Sequence, residues 1–232
     1  MDQISIYEGH VGGGKTFSAI HGIIRHLASG RYVRTNVQLN IEPIRALLQK
    51  KYRWDLQPRQ LELFDGGGTL KPLEKFPVAK VREDGTWDEQ LTLIVIDEAH
   101  LFLPQHGYKS KELQEWGDYL SHVRKYGHKY VFITQDAALL YNACRRQATQ
   151  FVHFRDMNKL TILGIRSPSQ SIRQLYYMPS NLRDPIETTY IPKDKRIFGC
   201  YNSASLIFDA YKPPANAHIC DVISEEQGKD TP

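Results

Sequence analysis

Cysteine is scarce in this chain of 232 residues, and long apolar runs are missing. The three cysteines, Cys144, Cys200 and Cys220, are odd in number and lack the spacing of a disulfide framework or a metal site. The longest strongly apolar run, Leu91–Ile96, is far shorter than the roughly 18 residues that a membrane-spanning helix needs. The segment Met1–Ser5 lacks the basic and apolar regions of a signal peptide. We therefore expect reduced thiols and a cytoplasmic protein, without a membrane span in this chain.

The order of apolar segments predicts an α/β protein. Ile4–Tyr7 and Leu91–Ile96 have the aliphatic composition of buried strands, and the spacing of Phe17, Ile20, Ile24 and Leu27 predicts a helix that Gly30 ends. Strand and helix patterns alternate with short links, which is typical of a doubly wound, mostly parallel sheet with helices on both faces. Further strands are predicted at Tyr32–Val37, Tyr130–Thr134, Phe151–Phe154, Leu160–Ile165 and Ile172–Tyr177, and further helices at Ile41–Lys50, Lys109–Tyr126 and Ala137–Ala143.

Two segments depart from this alternation. Residues 52–90 are irregular, with Gly66-Gly67-Gly68 and several prolines, and we interpret them as an insertion on the core. Within them, Asp84-Gly85 favours a hairpin turn. After Tyr211 the composition becomes polar, which predicts a flexible tail. The expected organisation is one domain over residues 1–211, which includes the insertion, and a tail over residues 212–232.

The segment Gly9–Thr16 carries the strongest chemical signal. It matches the phosphate-binding pattern G-x-x-x-x-G-K-[ST] in full and lies between a predicted strand and a predicted helix. Its glycines, Gly9, Gly12, Gly13 and Gly14, let the backbone wrap phosphate groups with its N–H groups pointing inward. Lys15 is expected to bridge the β- and γ-phosphates of ATP, and Thr16 to bind Mg²⁺.

A second set of polar residues follows predicted strands. Asp97 and Glu98 come directly after four aliphatic residues, at a strand end where ligands collect. Asp97 is the expected Mg²⁺ anchor, and Glu98 the general base that activates water, which favours a hydrolase over a small-molecule kinase. Gln135 ends the next predicted strand and could sense the γ-phosphate. The alternative for each of these residues is an ordinary polar strand end.

The net charge of +4 is unevenly distributed. Residues 121–183 hold ten Lys and Arg against two Asp, a net charge of +8, so the remainder carries −4. Concentrated positive charge is typical of proteins that bind a polyanion such as DNA or an anionic membrane face. The alternative is a solvated surface with some arginines directed at the nucleotides of neighbouring subunits. The ten basic residues are Arg124, Lys125, Lys129, Arg145, Arg146, Arg155, Lys159, Arg166, Arg173 and Arg183.

These motifs together resemble the zonular occludens toxin-like (Zot) family, which includes the gene I assembly proteins of filamentous phages, within the FtsK–HerA superfamily. The resemblance spans about residues 1–155. It is carried by the phosphate loop Gly9–Thr16, the segments Gly30–Asn36 and Val95–His100, and the stretch from His122–Gly127 into Ile133–Gln135. The phosphate loop and the acidic strand end are shared by many nucleotide-binding proteins, whereas the other two stretches narrow the match.

The resemblance implies a RecA-like core that hydrolyses ATP within a ring-shaped oligomer, expected to be a hexamer. Such a motor would move phage DNA or extrude a virion in the host cytoplasm, in contact with the inner membrane or a virion portal. By the same resemblance Arg124 would reach a neighbour's nucleotide, with Arg145 and Arg146, placed after the next short helix, as competing candidates. Filamentous-phage members usually continue into a transmembrane helix that this chain lacks. An isolated cytoplasmic domain and a soluble genome-packaging ATPase therefore both stay open. A nucleotide-dependent binding switch without translocation is a separate alternative.

Overall fold

The computed structural model describes residues 3–64, 85, 91–107, 111–162 and 165–202, and they form an α/β domain with ten strands and five α-helices. The strands are β1 (Ile4–Glu8), β2 (Tyr32–Thr35), β3 (Leu61–Leu63), β4 (Thr92–Ile96), β5 (His128–Ile133), β6 (Gln150–Asp156), β7 (Thr161–Ile162), β8 (Ile165–Arg166), β9 (Ser171–Tyr177) and β10 (Glu187–Pro192). The helices are α1 (Lys15–Ala28), α2 (Ile41–Tyr52), α3 (Lys111–Ser121), α4 (Asn142–Gln147) and α5 (Lys195–Phe198).

Eight strands form one sheet in the order β10-β9-β6-β1-β5-β4-β2-β3. The six strands from β6 to β3 run parallel, and β9 and β10 add an antiparallel edge beside β6. Because β5 lies between β1 and β4, the segment that follows β5 emerges between the segments that follow β1 and β4. All three segments therefore meet at the carboxyl edge of the parallel strands, where ligands bind in open α/β sheets.

Helices cover both faces of the sheet, as the sequence predicts. Alternate strand residues point to opposite faces, so Val95 of β4 joins the core under α1 and α2, whereas Ile96 joins the core under α3 and α4. The aliphatic strands are buried on both faces for this reason. Helix α1 ends where Gly30 adopts a left-handed φ of 76°, in agreement with the predicted stop. The mostly parallel, doubly wound α/β fold is confirmed.

Several predicted elements differ in the structure. Residues 61–63 form β3 at the edge of the main sheet, so the first part of the supposed insertion belongs to the core. The single strand predicted over Leu160–Ile165 is wrong, because β7 and β8 pair with each other as a separate antiparallel ladder. Residues 137–139 form a 3-10 turn, and α4 begins only at Asn142. Neither β10 nor α5 is among the elements predicted from the sequence.

Other predictions concern residues that the structure describes only in part or not at all. The predicted helix Lys109–Tyr126 is observed as α3 followed by a 3-10 turn over Val123–Tyr126. The predicted hairpin around Asp84-Gly85 and the tail 212–232 lie outside the described residues, apart from Gly85 itself. Cys144 and Cys200 are buried free thiols. Among the described residues, no helix combines the length and apolar character needed to cross a membrane.

Candidate functional site

The phosphate loop connects β1 to α1 at the carboxyl edge of the sheet. Gly12 and Gly14 have φ values of 71° and 103°, a left-handed conformation that L side chains rarely adopt. Gly9 and Gly13 pack so closely against β6 that a Cβ atom on either would lie 3.2 Å from the carbonyl oxygen of Phe154. The loop conformation therefore depends on its glycines.

Lys15 is the first residue of α1 and folds back over the loop. Its Nζ donates to the carbonyl oxygens of Gly9, at 2.6 Å, and His10, at 3.2 Å. Burial lowers the pKa of Lys15, while the nearby charges of Glu98 and Asp97 act in the opposite direction. The first turn of α1 contains no acidic residue and no side chain caps it. An anion at this helix end would therefore meet a buried ammonium group and backbone N–H donors that no side chain occupies.

Asp97 follows β4 and lies beside the start of α1. The Thr16 hydroxyl donates to Asp97 Oδ2 at 3.2 Å, and the other carboxylate oxygen accepts the backbone N–H of Glu98 at 2.9 Å. Burial, with a second contribution from Glu98, raises the pKa of Asp97. The raised pKa means that the charged carboxylate is disfavoured, and a cation at Oδ2 would stabilise it. Mg²⁺ commonly takes one or two protein ligands and completes its shell with water and substrate phosphates, so this hydroxyl and carboxylate fit it.

Asn36, the first residue after β2, fixes the backbone of Asp97. Its Nδ2 donates to the Asp97 carbonyl oxygen at 2.9 Å, and its Oδ1 accepts the Asp97 backbone N–H at 2.7 Å. The two hydrogen bonds hold the peptide units on both sides of Asp97. In the sequence, Asn36 is distinguished only as part of a family motif, without a predicted role.

Glu98 begins the turn after β4 with an unusual backbone. Its φ of 48° is left-handed, a conformation that costs a non-glycine residue free energy. Its Oε2 is buried and makes no hydrogen bond to any residue that the structure describes, although the Nδ1 atom of His100 lies 3.5 Å away. His100 Nδ1 also lies 3.4 Å from the Thr134 hydroxyl at the end of β5. Glu98 therefore has a carboxylate oxygen available to accept a proton.

The segment after β5 is tied to the phosphate-loop strand. Glu8, the last residue of β1, accepts the backbone N–H of Ala137 at 3.2 Å and pairs with His153 of β6 at 2.9 Å. The hydrogen bond from His153 lowers the pKa of Glu8. Gln135 lies two residues before Ala137, exposed, at the edge between the phosphate loop and Asp97. The sequence alone does not predict this connection, because Glu8 is more than a hundred residues away from Ala137 and His153 in the chain.

The candidate arginines lie at the opposite edge of the sheet. Arg124 is in the 3-10 turn that leads into the amino end of β5. Arg145 and Arg146 are in the last turn of α4, before the amino end of β6, and not after the helix as the sequence analysis expected. The structure does not bring these side chains to the phosphate loop of their own chain. The basic residues of 121–183 are likewise divided, since Lys159 lies at the carboxyl edge.

The strand order and the phosphate loop define the class of this protein: it has the fold of a P-loop nucleoside triphosphatase. The chain belongs to the zonular occludens toxin (Zot) family, whose profile matches residues 3–206. The Gene 1 protein of Enterobacteria phage I2-2 is 32% identical over 161 residues, which cover 68% of this chain and 42% of that protein. The Gene 1 protein of Escherichia phage If1 is 25% identical over 236 residues, which cover 95% of this chain and 64% of that protein.

A solved structure agrees with the fold. The N-terminal domain of zonular occludens toxin from Neisseria meningitidis matches with a TM-score of 0.51 and 16% identity, covering 87% of this chain and all of that domain. At this identity the likeness concerns the fold alone. The chain spans less than two thirds of the length of the phage relatives named above.

Proposed function

We propose that this protein is a Mg²⁺-dependent ATPase. The observation that carries the proposal is the meeting of three elements at one edge of the sheet. The phosphate loop supplies Lys15 and Thr16, the end of β4 supplies Asp97 within 3.2 Å of Thr16, and Glu98 follows with an oxygen free of hydrogen bonds to the described residues. This arrangement offers phosphate donors, a hard-cation site and a proton acceptor in one place.

Each group has a separate task in the proposed reaction. The backbone N–H groups of the loop and the Lys15 ammonium group hold the phosphates in line for attack. Thr16 and Asp97 hold Mg²⁺, which neutralises phosphate charge when bound. Glu98 Oε2 accepts the proton of the attacking water, and its neighbour His100 limits where that carboxylate can turn. Gln135 is placed to contact the γ-phosphate and the water.

We further propose that the ATPase acts as one subunit of a ring, with a hexamer as the expected form, that drives phage assembly by virion extrusion or DNA translocation. Membership of the Zot family and the likeness to phage Gene 1 proteins support this role. The position of Arg124, Arg145 and Arg146 supports it too, since they can complete only a neighbour's site. Phage DNA, the host inner membrane and a virion portal are the proposed partners, in the host cytoplasm.

Nucleotide binding and phosphate release test the catalytic assignment. Lys15→Ala should abolish ATP binding, because it removes the buried ammonium group from the loop. Glu98→Gln should keep ATP binding and lower the rate of phosphate release at least a hundredfold, as expected for loss of a general base. Glu42→Gln, at an exposed position of α2, is the matched control and should behave like the wild type. Wild-type hydrolysis by Glu98→Gln would refute the assignment.

Native mass measurements, with and without ATP, Mg²⁺ and DNA, test the ring. A ring that assembles with ATP, and ATP hydrolysis that DNA accelerates, are the expected results. A monomer under every condition, with hydrolysis indifferent to DNA, would contradict the motor and favour the nucleotide-dependent binding switch.

A further inference from the structure

The geometry points to Lys159 as a second cation for the nucleotide phosphates, supplied by the same chain from the β6 side of the phosphate loop. The side chain lies against Gly12: a Cβ atom on that glycine would collide with the Lys159 ammonium group. No role was predicted for Lys159 beyond its charge. The inference rests on the proposed nucleotide site and names a further residue that binds there.

The path of β6 brings Lys159 to the loop. β6 runs parallel to β1, with His153 beside Glu8, so the residues after His153 pass alongside the phosphate loop. The Phe154 carbonyl contacts the loop at Gly9 and Gly13. The chain then leaves β6 through a 3-10 turn over Met157–Lys159, which places Lys159 above Gly12.

Asp156 and Lys193 hold this turn in place. The Asp156 side chain caps the turn by accepting the backbone N–H of Asn158 at 3.0 Å. It also pairs at 2.6 Å with Lys193, the first residue after β10, and the Asp156 and Lys193 side chains are largely buried, with exposures of 11% and 16%. The nearest acidic residue in the sequence is therefore engaged by another lysine. Within the described ranges, Lys159 has neither a hydrogen bond nor an ion pair.

The surroundings of the Lys159 ammonium group favour an anionic ligand. It lies beside a loop rich in backbone N–H donors, near the positive end of α1 and on the loop that Lys15 also covers. Lys15 is influenced by the charges of Asp97 and Glu98, on the β4 side of the site. Lys159 approaches from the other side of β1. A polyphosphate in the loop would lie between the two ammonium groups and be contacted by both.

Binding titrations with ATP and with inorganic tripolyphosphate, in the presence of Mg²⁺, test the inference. Lys159→Gln should weaken binding of both ligands by about tenfold, the loss expected for one charge-assisted hydrogen bond. Lys159→Arg, which keeps the charge, should retain most of the affinity. Arg155→Gln removes an exposed cation from β6, four residues before Lys159, and should bind both ligands like the wild type.

The outcomes separate this inference from the proposed function. If the wild type does not bind ATP, the proposed nucleotide site itself fails. If the wild type binds ATP and Lys159→Gln binds it equally well, only the role of Lys159 is refuted. A loss seen with ATP but not with tripolyphosphate would place Lys159 against the ribose or the base and would also overturn the inference. An equal loss in Arg155→Gln would show a general charge effect and count against it.

Discussion

Replacement of Asn36 by alanine tests how strongly the site depends on a residue that touches neither phosphate nor metal in the proposed mechanism. The Asn36 amide makes two hydrogen bonds to the backbone of Asp97, one as donor and one as acceptor. These bonds orient Asp97, the proposed Mg²⁺ ligand, and the peptide unit that leads into Glu98. Asn36→Ala therefore has two separate expected effects, one on stability and one on metal use.

The stability effect can be worked out from the two bonds. A net contribution of about 1 kcal/mol for each gives a loss of about 2 kcal/mol in the free energy of unfolding. For a domain of this size, that loss lowers the melting temperature by about 4 to 8 °C. Loss of a residue that orients a metal ligand commonly weakens metal affinity at least tenfold, and we expect the Mg²⁺ requirement for ATP hydrolysis to rise accordingly.

Urea or thermal unfolding measures the first effect, and ATPase rates over a range of Mg²⁺ concentrations measure the second. Asn40→Ala is the matched control, because the Asn40 amide makes one exposed hydrogen bond, to the Gly199 carbonyl, away from the site. Asn40→Ala should lower the free energy of unfolding by less than about 1 kcal/mol and leave the Mg²⁺ dependence of ATP hydrolysis unchanged. If Asn36→Ala matched Asn40→Ala in both measurements, the reasoning about Asp97 would be wrong.

Two further predictions concern the loop and its strand. Gly12→Ala should abolish ATP binding, because it strains a residue with a left-handed backbone and displaces Lys159. Gly22→Ala in α1 is the control: with open space around Gly22, this variant should bind ATP normally and raise the free energy of unfolding by about 0.5 to 1 kcal/mol. Normal ATP binding by Gly12→Ala would contradict the loop geometry. His153→Gln should lower stability at neutral pH, because His153 depresses the pKa of Glu8. A depressed carboxyl pKa contributes stability that is present above the ordinary value of 4.5 and disappears as pH falls through the folded value. The difference in the free energy of unfolding between the wild type and His153→Gln should therefore become smaller below pH 4.5. A difference that stays constant with pH would refute the interaction between His153 and Glu8.

The parts of this protein that the sequence predicts are those marked by an uninterrupted local sequence pattern. The phosphate loop and the run into Asp97-Glu98 each combine a complete local motif with strongly apolar flanks, so their elements and their position at one sheet edge follow directly. Strand β10 escapes such analysis because most of its residues are exposed and it lacks a buried apolar alternation. Strand β3 has three residues, too few to show a period.

The contacts missed by the sequence analysis all depend on strand order. Glu8 meets His153 and Ala137 only because β1 lies between β5 and β6. Lys159 reaches Gly12 only because the turn after β6 passes over the loop. No local sequence pattern contains this information, since the two members of each contact are more than a hundred residues apart in the chain.

Strand order also explains why the arginines and the phosphate loop belong to different subunits in the proposed ring. The loop follows the carboxyl end of β1, whereas Arg124 precedes the amino end of β5, its parallel neighbour of six residues. At about 3.3 Å per residue, the sheet separates them by about 20 Å, farther than an arginine side chain extends. Arg145 and Arg146 precede β6 in the same way. Within one chain, Lys15 and Lys159 are the cations that we propose to meet the phosphates. An arginine contribution to catalysis requires a second copy that presents its amino edge to the carboxyl edge of the first, and hydrolysis would then depend on assembly.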